Sequence, residues 1–475
     1  MSPEEFRQHG HRVIDWIAEY LTNPSAHPVL ARTRPGEVAA ALPSSPPTDG
    51  EEFDAILQDL DDILLPGITH WNHPAFFAYF GISGSMPGIL AEAIAAALNV
   101  NAMLWRTSPA ATELEEVAVD WLRQLLGLPN DFRGHIQDTA STSTLVALAS
   151  AREATGLDIR ERGLAGRDVP PLRVYCSEEA HSSVEKAAIT LGIGRESVRK
   201  IRTDDEFRMI PRALEEAIEI DRSAGDRPFC IVATLGTTST TSVDPLPQLA
   251  AVARRFGLWL HVDAAYGGAA AVVPEIRDVT RGWEQADSIV VNPHKWLFVP
   301  IDCSTLFLRD PEITRRAFTL VPDYLQTPQG ESVTNLMDYG HALGRRFRAL
   351  KLWTTLRYFG ESGLAARLRE HIDLARAFAA DVRRDPDWRV EAPVPFSTVC
   401  FRFTPPGLGD ADTDALNERI LEAVNATGEV FLSHTRLNGR YTLRLAVGNI
   451  RTEAGHVRDA WRLLRDAARN EQPRQ

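Results

Sequence analysis

Ser288-Ile289-Val290-Val291-Asn292-Pro293-His294-Lys295-Trp296 is an apolar run that ends in polar residues, with a lysine set between an imidazole and an indole. A short Val/Ile run without alternation predicts a strand buried on both faces. The same pattern recurs through 135–308. A helix over 142–154 precedes a run at 172–176 and a helix at 181–191. A run at 228–234 precedes a helix near 246–256, then runs at 258–262 and 287–291. This alternation predicts an α/β fold, with a mainly parallel central sheet and helices on both faces. Such sheets gather ligands outside the carboxyl ends of their strands, which is where Lys295 stands.

Working outward, residues 4–21 have the spacing of an amphipathic helix, with Phe6, Val13, Ile14, Ile17 and Leu21 on one side. Pro24, Pro28 and Pro35 break regular structure beyond it, 43–50 reads as a loop, and a second helix is expected over 51–64. This arm has little core of its own and must lie on the main domain or on a partner subunit. Residues 85–98 form an Ala-rich helical pattern. Thr112-Glu113-Leu114-Glu115 reads as a capping box, opening a helix with Leu114, Val117, Ala118, Trp121, Leu122 and Leu125 inward. Toward the other end, helices are expected over 341–358 and 363–384. Strands at 397–403, 429–433 and 440–447 with helices at 412–426 and 453–468 make a smaller α/β unit. The expected division is a helical arm over 1–80, a large domain over 81–360 and a small C-terminal domain over 361–475.

The chain has 475 residues, 44% of them hydrophobic and 24% charged, with a formal net charge of −13. That balance is ordinary for a globular protein and argues against a broad nucleic-acid surface. The cysteines, at 176, 230, 303 and 400, show no CxxC spacing, so no metal site is expected. Met1-Ser2-Pro3-Glu4-Glu5-Phe6 has neither a basic nor an apolar leader region. No apolar stretch approaches the ~18 residues of a membrane span. A cytoplasmic setting without membrane association is the expectation.

Four elements carry chemistry. Lys295, at the end of a buried strand, loses solvation, which lowers its pKa and makes it a nucleophile toward an aldehyde. Leu260-His261-Val262-Asp263-Ala264-Ala265-Tyr266 ends a strand in a carboxylate followed by small residues. That carboxylate can pair with a protonated pyridine nitrogen, and the alanines let a flat ring approach. Gln137 to Thr144 crowds hydroxyls at a helix start, a pattern that caps a helix and also binds phosphate. Thr234 to Thr241 is a second hydroxyl-rich turn; neither stretch is a P-loop. His181 opens a helix after the run ending at Cys176. Phosphate cradle, ring-nitrogen partner, stacking imidazole and aldehyde-trapping lysine together specify a phosphorylated aromatic aldehyde.

Further motifs carry a family resemblance: His73-Pro74-Ala75-Phe76-Phe77-Ala78-Tyr79-Phe80, Ser108 to Glu115, Ala180-His181-Ser182-Ser183, His261 to Tyr266, Asn292 to Trp296, and Gly344-Arg345-Arg346-Phe347-Arg348. From the N-terminal helices through Trp461 the chain resembles the pyridoxal-phosphate-dependent group II decarboxylases, and within them the aromatic-L-amino-acid decarboxylases. The resemblance implies the type I PLP-dependent transferase-like fold, a homodimer with shared active sites, and an arm that wraps the partner. It implies Lys295 as the cofactor-bonding lysine, Asp263 as the pyridinium partner and His181 as the stacked imidazole. Ala140, Ser141, Thr238, Asn292 and His294 match phosphate-side positions, and Ala265 the opposite ring face. Trp71, Tyr79 and Phe80 match an aromatic substrate pocket. The implied reaction decarboxylates an aromatic L-amino acid to its amine.

One region departs from the pattern. The animal and plant enzymes carry a loop tyrosine in Asp-Tyr-x-x-Trp-Gln before Gly-Arg-Arg-Phe. Here Leu320 to Leu343 contains Asp338-Tyr339, three residues closer to Arg345 and without the Trp-Gln. Tyr339 is the expected proton donor, with Leu336 at the tyrosine position if no gap is allowed. Gly81 and Ile82 also replace residues usual in the animal pocket. Arg345, Arg346, Arg348 and Lys351, interleaved with Phe347, Leu350, Leu352 and Trp353, read as an amphipathic helix rather than a nucleic-acid surface. The competing readings are a decarboxylase for glutamate or histidine, an aldehyde synthase, and a non-enzymatic scaffold.

Overall fold

The computed structural model describes residues 1–320 and 332–472. These divide into two compact units, one of residues 1–81, 380–389 and 401–475, the other of 82–379 and 390–400.

The larger unit holds a seven-stranded sheet. Its strands are β1 (Arg133–Gln137), β2 (Leu172–Ser177), β3 (Val198–Ile201), β4 (Arg227–Thr234), β5 (Trp259–Asp263), β6 (Ser288–Val291) and β7 (Ser304–Leu308), in the order β1-β7-β6-β5-β4-β2-β3. Neighbours from β6 through β3 pair parallel, while β7 runs antiparallel to both β6 and β1. The expected mainly parallel sheet is therefore present. β4 to β7 are buried almost throughout, as continuous Val/Ile runs require. Ala140–Glu153 buries Val146, Ala147, Leu148 and Ala151 in a core shared with Val174, Cys176, Val232 and Val290.

Two local expectations are corrected here. The helix expected to open at Thr112 runs Pro109–Leu126, because Pro109 suits a first helical turn. Thr112 lies one turn in, its hydroxyl donating to Ser108 O at 3.2 Å. The buried face is accordingly Ala111, Thr112, Glu115, Ala118, Val119, Leu122 and Leu126, with Val117 and Trp121 exposed. Glu115 turns inward: Oε1 accepts the Ile136 N–H at 2.8 Å and Arg345 Nη2 at 2.9 Å, and Arg345 also donates to Ile136 O. The helix expected over 341–358 begins only at Ala349 and runs to Arg384, broken at Gly360 (φ 62°). The guanidinium groups explain the delay. Arg345 pairs with Glu115, Arg346 with Glu92 and Arg348 with Asp302, which holds 345–347 outside the helix.

In the smaller unit, Pro3–Thr22 is a helix with a Ser2/Glu5 capping box. β8 (Trp388–Val390), β9 (Thr398–Phe403), β10 (Ser433–Leu437) and β11 (Arg440–Ala446) form a sheet ordered β10-β11-β9-β8. The strand expected at 429–433 is displaced: Phe431 makes only an isolated bridge to Phe76, and β10 starts at Ser433. Among the described residues no helix is long and apolar enough to cross a membrane.

Five buried histidines set the acid response. Burial is the first cause holding His70, His73 and His261 down to about 4, and His135 and His294 to about 3. The unfolded chain takes up these protons nearer pH 6.5, so the stabilising difference is complete above that value and is lost as pH falls toward 4. We expect the thermal midpoint to be level above pH 7 and to fall steadily from pH 6.5 to 4.5. A midpoint constant from pH 7 to 5 would show that these histidines do not control stability.

Candidate active site

β5 ends at Asp263, which the register sets beside Val290 of β6. Backbone bonds continue past both strand ends: Ala264 N–H donates to Val290 O at 3.0 Å and Asn292 N–H to Ala265 O at 3.1 Å. Pro293–Trp296 then makes a single helical turn that leaves Lys295 half-buried between buried His294 and Trp296. Asp263 is 7% exposed, and its Oδ1 accepts the Ala265 N–H at 3.1 Å. His181 lies beyond β2, just ahead of the helix Ser183–Thr190. Its Nδ1 accepts the Ser183 N–H at 3.1 Å, so the neutral ring carries its proton on Nε2. One side of the ring reaches solvent, yet the surrounding protein lowers its pKa; Asp263 opposes this fall and Lys295 adds to it. The Asp263 carboxylate and the Lys295 amine are thus both within electrostatic reach of the imidazole.

The residues expected on the phosphate side lie on separate elements. Ala140–Glu153 starts from Thr139, whose side chain does not cap it. The first intrahelical bond is Ser143 N–H to Thr139 O at 3.0 Å, so the preceding amides project from the positive helix end. Ala140 is half-buried there and Ser141 exposed. The hydroxyl-rich loop after β4 divides its labour. Thr237, Thr240 and Ser242 hydrogen-bond among themselves, Thr237 to Thr240 and Thr240 to Ser242 each at 2.9 Å, while Thr238 is exposed.

Asn292 supplies the sharper test. Its buried Nδ2 lies 3.2 Å from His294 Nε2, and its Oδ1 has no partner among the described residues. His294 Nδ1 accepts the Cys303 N–H at 2.8 Å, so the neutral ring's proton sits on Nε2 and wants an acceptor. Turning the amide over gives Oδ1 to His294 and aims the NH2 into the position that lacked a partner. An amide donor, free helix amides and two exposed hydroxyls suit a phosphate. A lysine and a carboxylate at adjoining strand ends suit a pyridine aldehyde.

The family model for the pyridoxal-dependent decarboxylase conserved domain matches residues 35–404. The chain belongs to the pyridoxal-dependent decarboxylases. It is 41% identical to tryptophan decarboxylase 2 of Oryza sativa subsp. japonica, over 98% of this chain and 95% of that one. It is 39% identical to a phenylacetaldehyde synthase of Arabidopsis thaliana, over 98% and 96%. The crystal structure of Oryza sativa TDC with PLP and tryptamine superposes with a TM-score of 0.96 at 37% identity, covering 100% of this chain and 99% of that one. Pyridoxal phosphate is the cofactor of this decarboxylase, and an amino acid its substrate.

Tyr339 stands apart from the cluster. It ends a short turn, Leu336–Tyr339. Its ring lies 5.3 Å from that of His135, and its carbonyl accepts Gln137 Nε2 at 2.9 Å. Burial raises its pKa, and the charges acting on it are Glu312, Arg315, Asp338 and Glu116. With His135, Leu336 and Phe307 it lines a cavity of about 640 Å³. Residues 321–331 of the Leu320–Leu343 loop lie outside the described residues. In the smaller unit Trp71 stacks on Phe76 at 4.4 Å and on Tyr79 at 5.7 Å, Phe431 meets Tyr79 edge-on, and Arg444 covers the Phe80 ring at 4.8 Å. Gly81 touches Gly448 backbone to backbone: a Cβ on Gly81 would meet the Gly448 carbonyl carbon at 2.6 Å.

The sequence reading passed over Asp244. Its carboxylate accepts the Thr234 and Met209 N–H groups at 2.8 and 2.7 Å, closing the neck of the hydroxyl loop, and burial lifts its pKa to about 6. Its place at the end of a hydroxyl-rich stretch, before Pro245, was the available signal.

Proposed function

We propose that this decarboxylase converts an aromatic L-amino acid (DOPA, 5-hydroxytryptophan, tryptophan, tyrosine or phenylalanine) to the amine and CO2, the EC 4.1.1.28 activity. The observation that carries this reading is geometric: β5, ending at Asp263, pairs in register with β6, which leads into the turn bearing Lys295, and the His181 imidazole lies within electrostatic reach of both groups. The aromatic cluster of Trp71, Phe76 and Tyr79 supports an aromatic side chain in the substrate.

Bound pyridoxal phosphate supplies the ring that accepts the electron pair left when CO2 departs. Lys295 Nζ would bond the cofactor aldehyde carbon, and Asp263 would keep a proton on the ring nitrogen. Ala265 and His181 would flank the ring, and Ala140, Ser141, Thr238, Asn292 and His294 would hold the phosphate. The His181 Nδ1 accepts the Ser183 N–H, which leaves Nε2–H to donate to the substrate carboxylate. Trp71, Tyr79 and Phe80 bound the side-chain pocket and help keep water out. The working form is a homodimer with shared sites, its 1–80 arm laid on the partner, alongside an 81–360 cofactor domain and a 361–475 domain. Met86, Leu90, Ile94 and Leu98 support this, a stripe on one helix, 46% to 56% exposed and in need of cover. The cysteines at 176, 230, 303 and 400 are buried and form no disulfide among the described residues, which suits a reducing, cytoplasmic setting.

A second reading, aromatic aldehyde synthesis, is favoured by one observation. Tyr339, the proposed proton donor, faces His135 within its own chain. It serves as donor only if the dimer brings it to the second copy's lysine. If it does not, O2 can intervene and yield aldehyde, ammonia and hydrogen peroxide. The deciding experiment incubates the protein with DOPA, 5-hydroxytryptophan, tryptophan, tyrosine, phenylalanine, histidine and glutamate, measuring amine, aldehyde, peroxide and CO2. Reaction with glutamate alone refutes the aromatic assignment. Tyr339→Phe is expected to cut amine formation by about 10²-fold or more; unchanged amine output would remove Tyr339 from the reaction.

A further inference from the structure

The single turn that carries Lys295 has little internal means of holding its place. Pro293–Trp296 is four residues long. Besides the bonds between His294 and Cys303, the residue after the lysine helps fix it. The Trp296 indole stacks on Tyr266, with centroids 4.8 Å apart and planes 10° apart. Parallel to the indole within 10° lies His371, whose Nδ1 accepts the Trp296 Nε1–H at 3.0 Å. Phe396 closes on the edge of Trp296, and Phe298 stands edge-on to His371 at 5.7 Å. The Tyr266 hydroxyl bonds to Ser397. Trp296, His371, Phe298 and Phe396 are all fully buried, and Tyr266 is 2% exposed.

The stack joins two strand ends. Tyr266 belongs to the turn after Asp263, and Trp296 follows Lys295 directly. One indole therefore touches both the turn bearing the carboxylate and the turn bearing the amine. Its orientation in its own plane is set by one hydrogen bond, from a helix remote in sequence. Stacking alone leaves an aromatic ring free to slide or rotate within its plane; a directed N–H···N bond removes that freedom. The bond also sets the tautomer of His371, whose proton then sits on Nε2.

We propose that His371 is a positioning residue of the decarboxylation site, acting through Trp296 to fix the spacing between Lys295 and Asp263. The cofactor ring must reach both groups at once, and a displacement on the order of 1 Å in such a site costs about 10²-fold in rate. The proposal rests on Lys295 and Asp263 being the groups that hold the cofactor.

The test uses the full-length protein with His371→Leu, His371→Gln, Trp296→Phe, the Trp296→Phe/His371→Leu pair, and Lys295→Ala. Each is stripped of cofactor and titrated with pyridoxal phosphate, following the visible absorbance and circular dichroism of the bound cofactor. kcat and KM are measured beside these. His371→Leu is expected to weaken cofactor binding about 10-fold, reduce the visible dichroism and lower kcat by about 10- to 10²-fold with KM nearly unchanged. His371→Gln, which keeps an acceptor, restores most of each. Trp296→Phe keeps the stack and loses the donor, so it matches His371→Leu, and the pair is no worse than either alone. Normal dichroism and cofactor affinity in folded His371→Leu would overturn the proposal, as would additive losses in the pair. Should His371→Leu fail to fold, Trp296→Phe decides: wild-type dichroism and affinity refute the proposal, and weakened values support it. If Lys295→Ala keeps the bound-cofactor band, the site assignment itself fails, whatever the His371 variants do.

Discussion

Lys295→Ala is expected to abolish the visible band of the bound cofactor and to lower amine production by more than about 10³-fold. Both losses come from one change. Without the ε-amine the chain loses its proposed covalent hold on the cofactor aldehyde. The variant should fold, because alanine is a good helix former and this turn is fixed by its neighbours rather than by the lysine. Pyridoxal phosphate should still bind, more weakly, through the phosphate-side residues. Absorbance spectra with and without added cofactor, set beside amine yield, read both effects. A variant that retained the band and the activity would place the reacting amine elsewhere.

Arg345→Met is expected to be the most destabilising single change, at about 3–5 kcal/mol. The side chains of Glu115 and Arg345 are 3% and 7% exposed. Methionine fills much of the arginine's volume but leaves the Glu115 carboxylate buried with only the Ile136 N–H as partner. The same change removes the arginine's bond to Ile136 O, in the strand that leads into the phosphate-side helix. Glu115→Met/Arg345→Met should regain a large part of the loss, since a buried ion pair replaced on both sides by apolar groups is often close to neutral. Urea denaturation of both variants measures this. An Arg345→Met midpoint equal to wild type would mean that the carboxylate finds another partner or water.

β2, β4, β5 and β6 were legible as apolar runs, because burial on both faces demands apolar residues; β7, equally buried, was not named, because Ser304-Thr305 interrupts its apolar run. β1 and β3 were not, because they lie at the edges of the sheet. Arg133-Gly134-His135-Ile136-Gln137 and Val198-Arg199-Lys200-Ile201 mix polar and apolar residues and form no apolar run. Lys295, Asp263 and His181 could be named because each ends a strand or opens a helix, a local property. The pairing of Arg345 with Glu115 is 230 positions long, and nothing near Arg345 announces it. The capping-box reading of Thr112 to Glu115 failed for a local reason: Pro109 opens the helix one turn earlier and leaves Thr112 inside it. Tyr339 was recognisable as an unusual tyrosine, but its packing on His135 depends on tertiary structure.

The Ala140–Glu153 helix begins without a side chain to satisfy its first turn, and a phosphate would complete it. A ligand that binds only the folded state raises stability with its own concentration. With the cofactor phosphate bound at this turn, the concentration of pyridoxal phosphate would help set how often this chain unfolds. Molecules made during scarcity would open more often at that turn and meet proteases sooner, while those that capture the cofactor would persist. Enzyme abundance would follow nutrient status with no change in transcription.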